Sequence, residues 1–488
     1  MHKAILVATI GTRDLMFQVA SGSWYNIGDD RMQDGDIIGE QAEVIADLCF
    51  GTISYRDLTH YLVQHAAQYI DRIKPVILGK LLSDSATQLE CLYLIGTDQQ
   101  PHVYERNKDT LHSCALIKAW VEHQHQLPVK ILHLGSDGTN PSNFEAMFRW
   151  WRRSWQETIR IQQGQAVWLC LKGGVGQASE AGRISGLSVY GDRIKFFEFQ
   201  QNVKNNQKGL PSDYSGPFLG TNYLWDRTQQ QALGLLQRFD YAGAEALLLP
   251  YFQQDATGFG VLPTLIKAGV AWNRGEFETF FKLVKQTLTV AEQRREQTWW
   301  WMAYEQAYLG VVRLEQTNTA ESMLHSFRSV EGALWQWAIA TFPHHVQAIP
   351  DKFSLLLPSI LQVYPSLAAT YNRWQGNYPS AQLRGELLQA LLEVAIPQAT
   401  GRDFQAFWSE DCRNMRNALS HQLGGLSLQQ VLKAWGQDIR TQAQWETRIL
   451  TCLNLLTGQS FKALKQGSLF YLMHTKVIAV IAAHAWQN

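Results

Sequence analysis

Residues 416–421, with the sequence RNALSH, combine side chains that suit phosphate chemistry. An arginine binds a phosphate through permanently charged, paired hydrogen bonds. A histidine exchanges protons near neutral pH, and an asparagine can orient either partner. RNA carries its own nucleophile, the 2′-hydroxyl, so such a surface could cleave RNA without a metal ion. The competing interpretation is a solvated polar face on a structural helix.

The polar side chains of this segment predict one face of a helix. At about 100° per residue they gather within an arc of roughly 140°. Its members are Arg413, Arg416, Asn417, Ser420 and His421. The spacing alone is weak support, because an arginine followed four to six residues later by a histidine is expected about once by chance in such a chain. A second match, Arg106 with His112, lies in the first half and is interpreted as incidental.

Length and composition limit the classes of protein to which this chain can belong. The length of 488 residues suggests about three domains. Lys+Arg and Asp+Glu both total 43, so the formal net charge is zero. This argues against coating of long nucleic acid by bulk charge but permits a local phosphate site. The six cysteines form no CxxC pair, so we expect a reducing compartment, no zinc site and no disulfides. No signal peptide or membrane-length apolar run is evident, so the sequence predicts a cytoplasmic protein without a membrane partner.

The first half alternates strand-like and helix-like segments. Short apolar runs predict strands at 3–9, 91–97, 129–135, 167–174 and 194–199. Between them, helical periodicity covers 60–75, 108–124, 142–163 and 177–188. Continuous apolar strands separated by helices are typical of a parallel sheet covered on both faces. The sequence therefore predicts an α/β Rossmann-like N-terminal domain.

The second half changes character. Residues 204–220 are polar and rich in Gly, Pro, Asn and Ser, which predicts a linker after a first domain at 1–203. Helical spacing then continues to the end, so the C-terminal region is expected to be all-α. A turn signal near residue 350 predicts a division into helical subdomains at 221–348 and 349–488.

The strand ends of the first half predict a ligand site. In doubly wound sheets, ligands bind beyond the carboxyl ends of the strands. Here those ends carry TIGTRD (9–14), GTDQQ (96–100), GSDGTN (135–140) and LKGGVGQ (171–177). Glycine lets a phosphate approach the backbone, and helix N-termini offer N–H groups. The sequence therefore favours loops that bind a phosphate-bearing ligand over loops that are glycine-rich only because the chain turns there. The first strand is not followed by a GxGxxG turn, which argues against NAD binding. The chain also lacks GxxxxGK[ST], which argues against ATP hydrolysis.

The two halves together resemble the CARF–HEPN ribonucleases, which are ancillary ribonucleases of type III CRISPR systems. The resemblance covers the whole chain at the level of architecture. It depends on the four strand-end loops and on RNALSH, which matches the HEPN motif fully. The four strand-end loops resemble those of CARF domains in the types of residue more than in the exact sequence.

The resemblance implies an activator and a substrate. CARF domains pair and bind a cyclic oligoadenylate, with the four-membered ring favoured and the six-membered ring as its rival. HEPN domains pair as well, so a homodimer would form one composite site for single-stranded RNA, without a metal or other cofactor. Arg416 would bind the scissile phosphate, His421 would transfer the proton and Asn417 would position them. The residues expected to face the ligand are Gly11, Thr12, Arg13, Thr97, Asp98, Gly138, Thr139, Asn140, Gly173, Gly174 and Gln177.

Two alternatives remain open from the sequence. The chain could be a CARF sensor whose helical half is a scaffold, although a scaffold does not need all three polar residues of RNALSH. It could also be a ring nuclease that degrades its own cyclic oligoadenylate. A metabolic dehydrogenase is the least favoured interpretation.

Overall fold

The structure is a computed structural model, and it describes residues 3–28, 31–33, 36–255, 257–349, 354–419 and 425–485. The chain divides into two compact units, Met1–Asp226 and Arg227–Gln487. The first is an α/β unit and the second is mostly helical. Because the second unit spans both predicted helical subdomains, their separation near residue 350 remains a prediction.

A six-stranded sheet organises the first unit. The strands of this unit are β1 (Ala4–Thr9), β2 (Leu15–Gln18), β3 (Trp24–Asn26), β4 (Arg31–Gln33), β5 (Asp36–Ile38), β6 (Ile73–Pro75), β7 (Leu89–Thr97), β8 (Val129–Leu134), β9 (Val167–Cys170), β10 (Ile194–Gln200) and β11 (Asp213–Leu219). The main sheet has the order β11–β10–β9–β1–β7–β8, with β11 antiparallel to β10 and the other pairs parallel. All five predicted strands are therefore confirmed.

Helices accompany this sheet, and its strands contribute to two separate cores. The helices are α1 (Glu40–Asp47), α2 (Tyr55–Gln64), α3 (Ala66–Tyr69), α4 (Leu78–Ser85), α5 (Leu111–His125), α6 (Phe144–Arg153), α7 (Gly176–Tyr190) and α8 (Val203–Asn206). Along β1, Leu6 and Ala8 belong to one apolar cluster, whereas Ile5 and Val7 belong to the other. Since alternate residues of a strand point to opposite faces, the sheet is buried on both sides.

The predicted linker differs from the structure. Residues 204–220 contain β11, which pairs with β10 at the edge of the sheet. No strand pattern is visible in this segment because an edge strand is partly exposed and tolerates Gly216 and Pro217. The small antiparallel pairings of β2 with β3 and β6, and of β4 with β5, were also missed, because strands of three or four residues leave little periodicity.

Helices dominate the second unit. They are α9 (Gly220–Gln237), which contains the division between the units, α10 (Tyr241–Gln254), α11 (Leu262–Asn273), α12 (Phe277–Val284), α13 (Val290–Gln293), α14 (Trp301–Glu315), α15 (Thr319–Thr341), α16 (Ile360–Val363), α17 (Ala368–Gln375), α18 (Gly385–Ala395), α19 (Arg402–Trp408), α20 (Glu410–Leu419), α21 (Leu428–Lys433), α22 (Gln442–Thr457), α23 (Leu464–Gly467) and α24 (Leu469–Ala483). A small sheet of β12 (Val346–Gln347), β13 (Leu355–Leu356) and β14 (Ala381–Gln382) corrects the all-α prediction. These strands have two residues each, too few to show a period.

Short turns of other helix types complete the elements. Single 3₁₀ turns lie at Ile70–Arg72, Ala86–Gln88, Tyr104–Lys108, Gly191–Arg193, Lys285–Thr287, Arg294–Gln297, Pro365–Leu367 and Pro397–Thr400, and a π-helical turn lies at Ser154–Thr158. Within the described ranges, no helix combines the length and the apolarity that a membrane span requires.

A buried carboxylate holds the last helix in place. Glu305 of α14 is fully buried and accepts hydrogen bonds from Trp272 Nε1 (2.9 Å), Ser468 Oγ (2.7 Å) and the backbone N–H of Leu469. Leu469 begins α24, so Glu305 satisfies a free N–H at the start of that helix. The buried carboxylate therefore links three parts of the second unit.

Replacing Glu305 with alanine should lower the free energy of unfolding by about 3 kcal/mol or more, because three buried donors lose their acceptor. Urea unfolding of the purified variant measures this. The control is Glu296→Ala, whose carboxylate makes a more exposed ion pair with Lys285 at 3.5 Å. We expect a change of about 0.5 kcal/mol or less there. Equal losses in the two variants would contradict the role given to Glu305.

Candidate functional site

The ligand site predicted in the first unit is centred where the order of the strands in the main sheet reverses direction. The chain passes from β1 to β7 and β8 on one side of the sheet, then returns to β9 and β10 on the other. The carboxyl ends of β1 and β9 therefore lie side by side. In open α/β sheets this is the crevice where ligands bind. The loops that follow these strands are residues 10–14 and 171–175.

The two loops contact each other backbone to backbone. A Cβ atom on Gly11 would lie 2.7 Å from the Gly174 nitrogen, and one on Gly173 would lie 2.5 Å from the Gly11 nitrogen. The Thr9 hydroxyl donates to the Gly173 carbonyl at 2.6 Å. Gly174 has φ +87°, a conformation that favours glycine. The structure thus brings the predicted residues Gly11, Gly173 and Gly174 together, and only glycine fits at the first two.

A buried acid supports this junction, and it was missed in the sequence. Asp14 is the last residue of the first loop. It is only 4% exposed, and its Oδ2 accepts a hydrogen bond from the Gly11 N–H at 2.7 Å. Burial raises the pKa of Asp14 to about 7, although the Gly11 N–H and the charge of Lys172 act in the opposite direction. The available signal was an acidic residue immediately before the apolar strand β2.

The pKa of Asp14 predicts a pH-dependent stability. Its value in the folded protein exceeds the ordinary value of 3.8, so folding takes up a proton between about pH 4 and pH 7. The free energy of unfolding should fall as pH rises through this window, by on the order of 4 kcal/mol at most. Asp14→Asn, which cannot ionise, should remove this part of the fall.

Urea unfolding of the parent protein and Asp14→Asn at pH 5 and pH 8 measures the difference. Asp71→Asn, at an exposed position, is the matched control and should retain the parent's pH dependence. An unchanged pH dependence in Asp14→Asn would show that the buried carboxyl does not titrate as described.

The start of α7 adds donors beside the glycine loops. Gly176 and Gln177 begin this helix and are exposed, and the N-cap residue, Val175, makes no capping hydrogen bond through its side chain. Free N–H groups at a helix N-terminus, together with the helix dipole, favour an anion. Lys172 is also exposed in the same loop and was not among the predicted residues. This end of the sheet therefore presents a cation and backbone donors.

Thr97 is engaged inside the fold. Its N–H donates to the Thr110 hydroxyl, and the Thr110 N–H donates to the Thr97 hydroxyl, both at 3.0 Å. The Thr110 hydroxyl in turn donates to the Ile10 carbonyl at 3.1 Å, immediately before Gly11. These contacts give Thr97 a supporting position behind the first loop.

Asp98 also has internal partners. Its carboxylate pairs with Arg56 at 3.0 Å and with His133 Nδ1 at 3.2 Å. Burial raises the pKa of Asp98, but the hydrogen bonds from Arg56 and His133 outweigh it and hold the pKa below its ordinary value. Arg56 also binds the fully buried Asp109 at 2.7 Å, which fixes the loop between β7 and α5. Asp98 therefore holds this loop in position.

The loop after β8 also follows the carboxyl end of its strand, as do Thr12 and Arg13 of the first loop. Gly138 has φ +85° and is exposed, as is Asn140. The Thr139 N–H donates to Asp137 Oδ1 at 3.0 Å, so this loop is held by its own aspartate. Thr12 and Arg13 are partly exposed in the loop that follows β1.

The second site lies in the other unit, on α20. Asn417 is exposed on this helix, and Arg413 lies one turn before it. Both line a cavity of about 700 Å³ within the second unit. Arg416 belongs to α20, but its side chain, Ser420 and His421 lie outside the described residues. The structure therefore places two members of the predicted polar face on one cavity.

Other features flagged in the sequence have ordinary partners. Arg106 donates through Nε to the Gln99 carbonyl at 3.1 Å, and the His112 ring contacts the His60 ring in a tilted arrangement with 4.5 Å between centroids. Across the part of the chain that the structure describes, no three His, Cys, Asp or Glu side chains converge to hold a metal ion.

The fold defined by these units is that of a Rossmann-like sheet unit followed by a helical unit, and it matches a solved structure. Enterococcus italicus Csm6 bound to cyclic hexa-2′-fluoro-hexa-dAMP aligns with a TM-score of 0.60 and 12% identity, covering 98% of this chain and 100% of that chain. At this identity the likeness shows the fold. No known protein-family profile and no curated protein matches the sequence.

Proposed function

We propose that the chain is a single-stranded RNA endoribonuclease of CRISPR defence that is activated by a cyclic oligoadenylate. The observation that carries this proposal is that Arg413 and Asn417, from the polar face containing RNALSH, open onto a cavity large enough for a nucleotide. A face serving only solvation has no need of a cavity. We place the activity in the cytoplasm.

The activator would bind at the junction of the glycine loops in the first unit. Gly11, Gly173 and Gly174 allow close approach of a phosphate to the backbone, and the start of α7 with Gln177 supplies donors. Thr12, Arg13 and the loop at Gly138–Asn140 would complete the contacts. The ligand of the similar Csm6 structure, a cyclic hexanucleotide analogue, supports this class of activator. The four-membered ring remains our first prediction and the six-membered ring its rival.

The cleavage step would use the chemistry of RNA itself. His421 removes or returns a proton, Arg416 neutralises the charge that develops on the phosphate, and Asn417 orients the reacting groups. The 2′-oxygen attacks the adjacent phosphorus while the 5′-oxygen leaves with a proton. The products are a 2′,3′-cyclic phosphate and a 5′-hydroxyl, and no metal takes part.

Two copies would act together. We propose a homodimer in which the two α20 helices form one composite RNA site and the two sheet units share one activator. Binding of the activator then favours the active arrangement of the dimer, which is coupling between separate sites.

The experiment is cleavage of a single-stranded RNA in EDTA, with and without cyclic tetra- and hexa-adenylate. We expect products with 2′,3′-cyclic phosphate ends, and no cut where the substrate carries a 2′-deoxyribose at the scissile position. Turnover of the ring without RNA cleavage would favour the ring nuclease instead. Binding of the ring with neither reaction would favour the sensor with a scaffolding helical half.

A further inference from the structure

The cavity beside Asn417 is built by four helices of the second unit, α15, α18, α19 and α20. Arg328 and Trp335 lie seven residues apart on α15, so they share one face of that helix. Arg384 lies at the N-cap of α18, and Arg413 lies with Asn417 on α20. Positions distant in sequence thus converge on one volume of about 700 Å³.

Hydrogen-bond donors dominate the polar lining. The lining contains three arginines, Arg328, Arg384 and Arg413, and two acids, Glu321 and Glu331. Glu321 is paired with Arg313 at 2.7 Å. Trp408 is only 7% exposed and forms part of the wall. Its buried Nε1–H has no hydrogen-bond partner among the residues that the structure describes. A buried donor without an acceptor is costly, so an acceptor supplied at this wall would be stabilising.

The electrostatic surroundings of α15 agree with this lining. His325 lies on α15, one turn before Ser329. Burial and the charges of Arg313 and Arg328 lower the pKa of His325 to about 4. Because this histidine is neutral, the positive charge of the cavity belongs to the arginines that line it. An anionic ligand with acceptor groups fits such a site.

We infer that this cavity is a subsite for one nucleotide of the single-stranded RNA, next to the bond that is cleaved. Arg328, Arg384 and Arg413 bind its phosphates, and the two indoles contact its base, as aromatic side chains do in single-strand recognition. The inference rests on the proposed ribonuclease and deepens it by assigning its substrate contacts.

Steady-state kinetics of the activated full-length protein provide the first test. Arg384→Ala and Trp335→Leu should each raise KM for RNA about tenfold while kcat changes little, because they remove binding and leave the reacting groups. Arg274→Ala, an exposed arginine outside the cavity, is the matched control and should leave both constants unchanged. A loss of kcat at unchanged KM, or a change of dimerisation in sedimentation at unchanged KM, would overturn the subsite.

Photo-crosslinking separates failure of the subsite from failure of the ribonuclease. The probe is a single-stranded 2′-O-methyl RNA containing 5-iodouridine, which cannot be cleaved. We expect crosslinks in the peptides of Trp335 or Trp408, reduced several-fold in Arg384→Ala. Such crosslinks in a protein without RNA cleavage would support the subsite and refute the proposed reaction. Cleavage with crosslinks only outside the cavity would refute the subsite alone.

Discussion

A His421→Ala variant is expected to lose RNA cleavage by about 10²–10⁴-fold, the usual contribution of a positioned general acid or base. The proposed reaction needs a proton acceptor at the 2′-hydroxyl or a proton donor at the leaving 5′-oxygen. Histidine is the residue of RNALSH that can supply either near neutral pH. Activator binding should remain unchanged, because the glycine loops belong to the other unit.

The measurement is the initial rate of fluorogenic RNA cleavage at saturating cyclic oligoadenylate. His344→Ala is the matched control, since His344 is an exposed histidine of the same unit outside RNALSH. It should keep the parent rate. Arg416→Ala should lose activity as His421→Ala does, since the phosphate loses its permanent positive charge. A His421→Ala variant that cleaves at the parent rate would return RNALSH to a solvated helix face.

The second large effect is expected at the junction of the glycine loops. In Gly173→Ala, the new Cβ would lie 2.1 Å from Asp14 Oδ2, 2.5 Å from the Gly11 nitrogen and 2.6 Å from the Thr9 carbonyl oxygen. Two of these atoms belong to the backbone, so one or both loops must move. Losing about two backbone hydrogen bonds to the ligand, at roughly 1–1.5 kcal/mol each, lowers affinity about 100-fold. We therefore expect at least this loss in affinity for the activator.

Calorimetric titration with cyclic tetra- and hexa-adenylate measures that affinity. Gly51→Ala is the control, because no described residue other than its chain neighbours has a heavy atom within 4 Å of a Cβ at this exposed position. It should bind as the parent does, and circular dichroism should show both variants folded. Parent-like binding by Gly173→Ala would place the activator away from these loops.

The elements with strong local patterns could be predicted from the sequence. The strands of the main sheet are continuous apolar runs, and their carboxyl ends had to meet at one edge once the sheet was recognised as parallel. The positions of Gly11, Gly173 and Gly174 followed from that rule. Strand β11 could not be found this way, because an edge strand containing Gly216 and Pro217 has the composition of a linker.

Features that depend on distant partners could not be predicted. The supporting roles of Thr97 and Asp98 come from Thr110 and Arg56, which no sequence spacing connects to them. Asp14 becomes a special acid only because the loop after β9 covers it. In the second unit, the period of α20 predicted its polar face, but the other walls of the cavity come from α15, α18 and α19.

The most direct test of the central claim is the initial rate of RNA cleavage, in EDTA, as a function of the concentration of cyclic tetra-adenylate and, separately, cyclic hexa-adenylate. The account predicts a saturable increase of about 100-fold or more with one ring, the upper range of allosteric coupling between sites. A rate that is the same with and without either ring, or no cleavage at all, would contradict a ribonuclease controlled by a cyclic oligoadenylate.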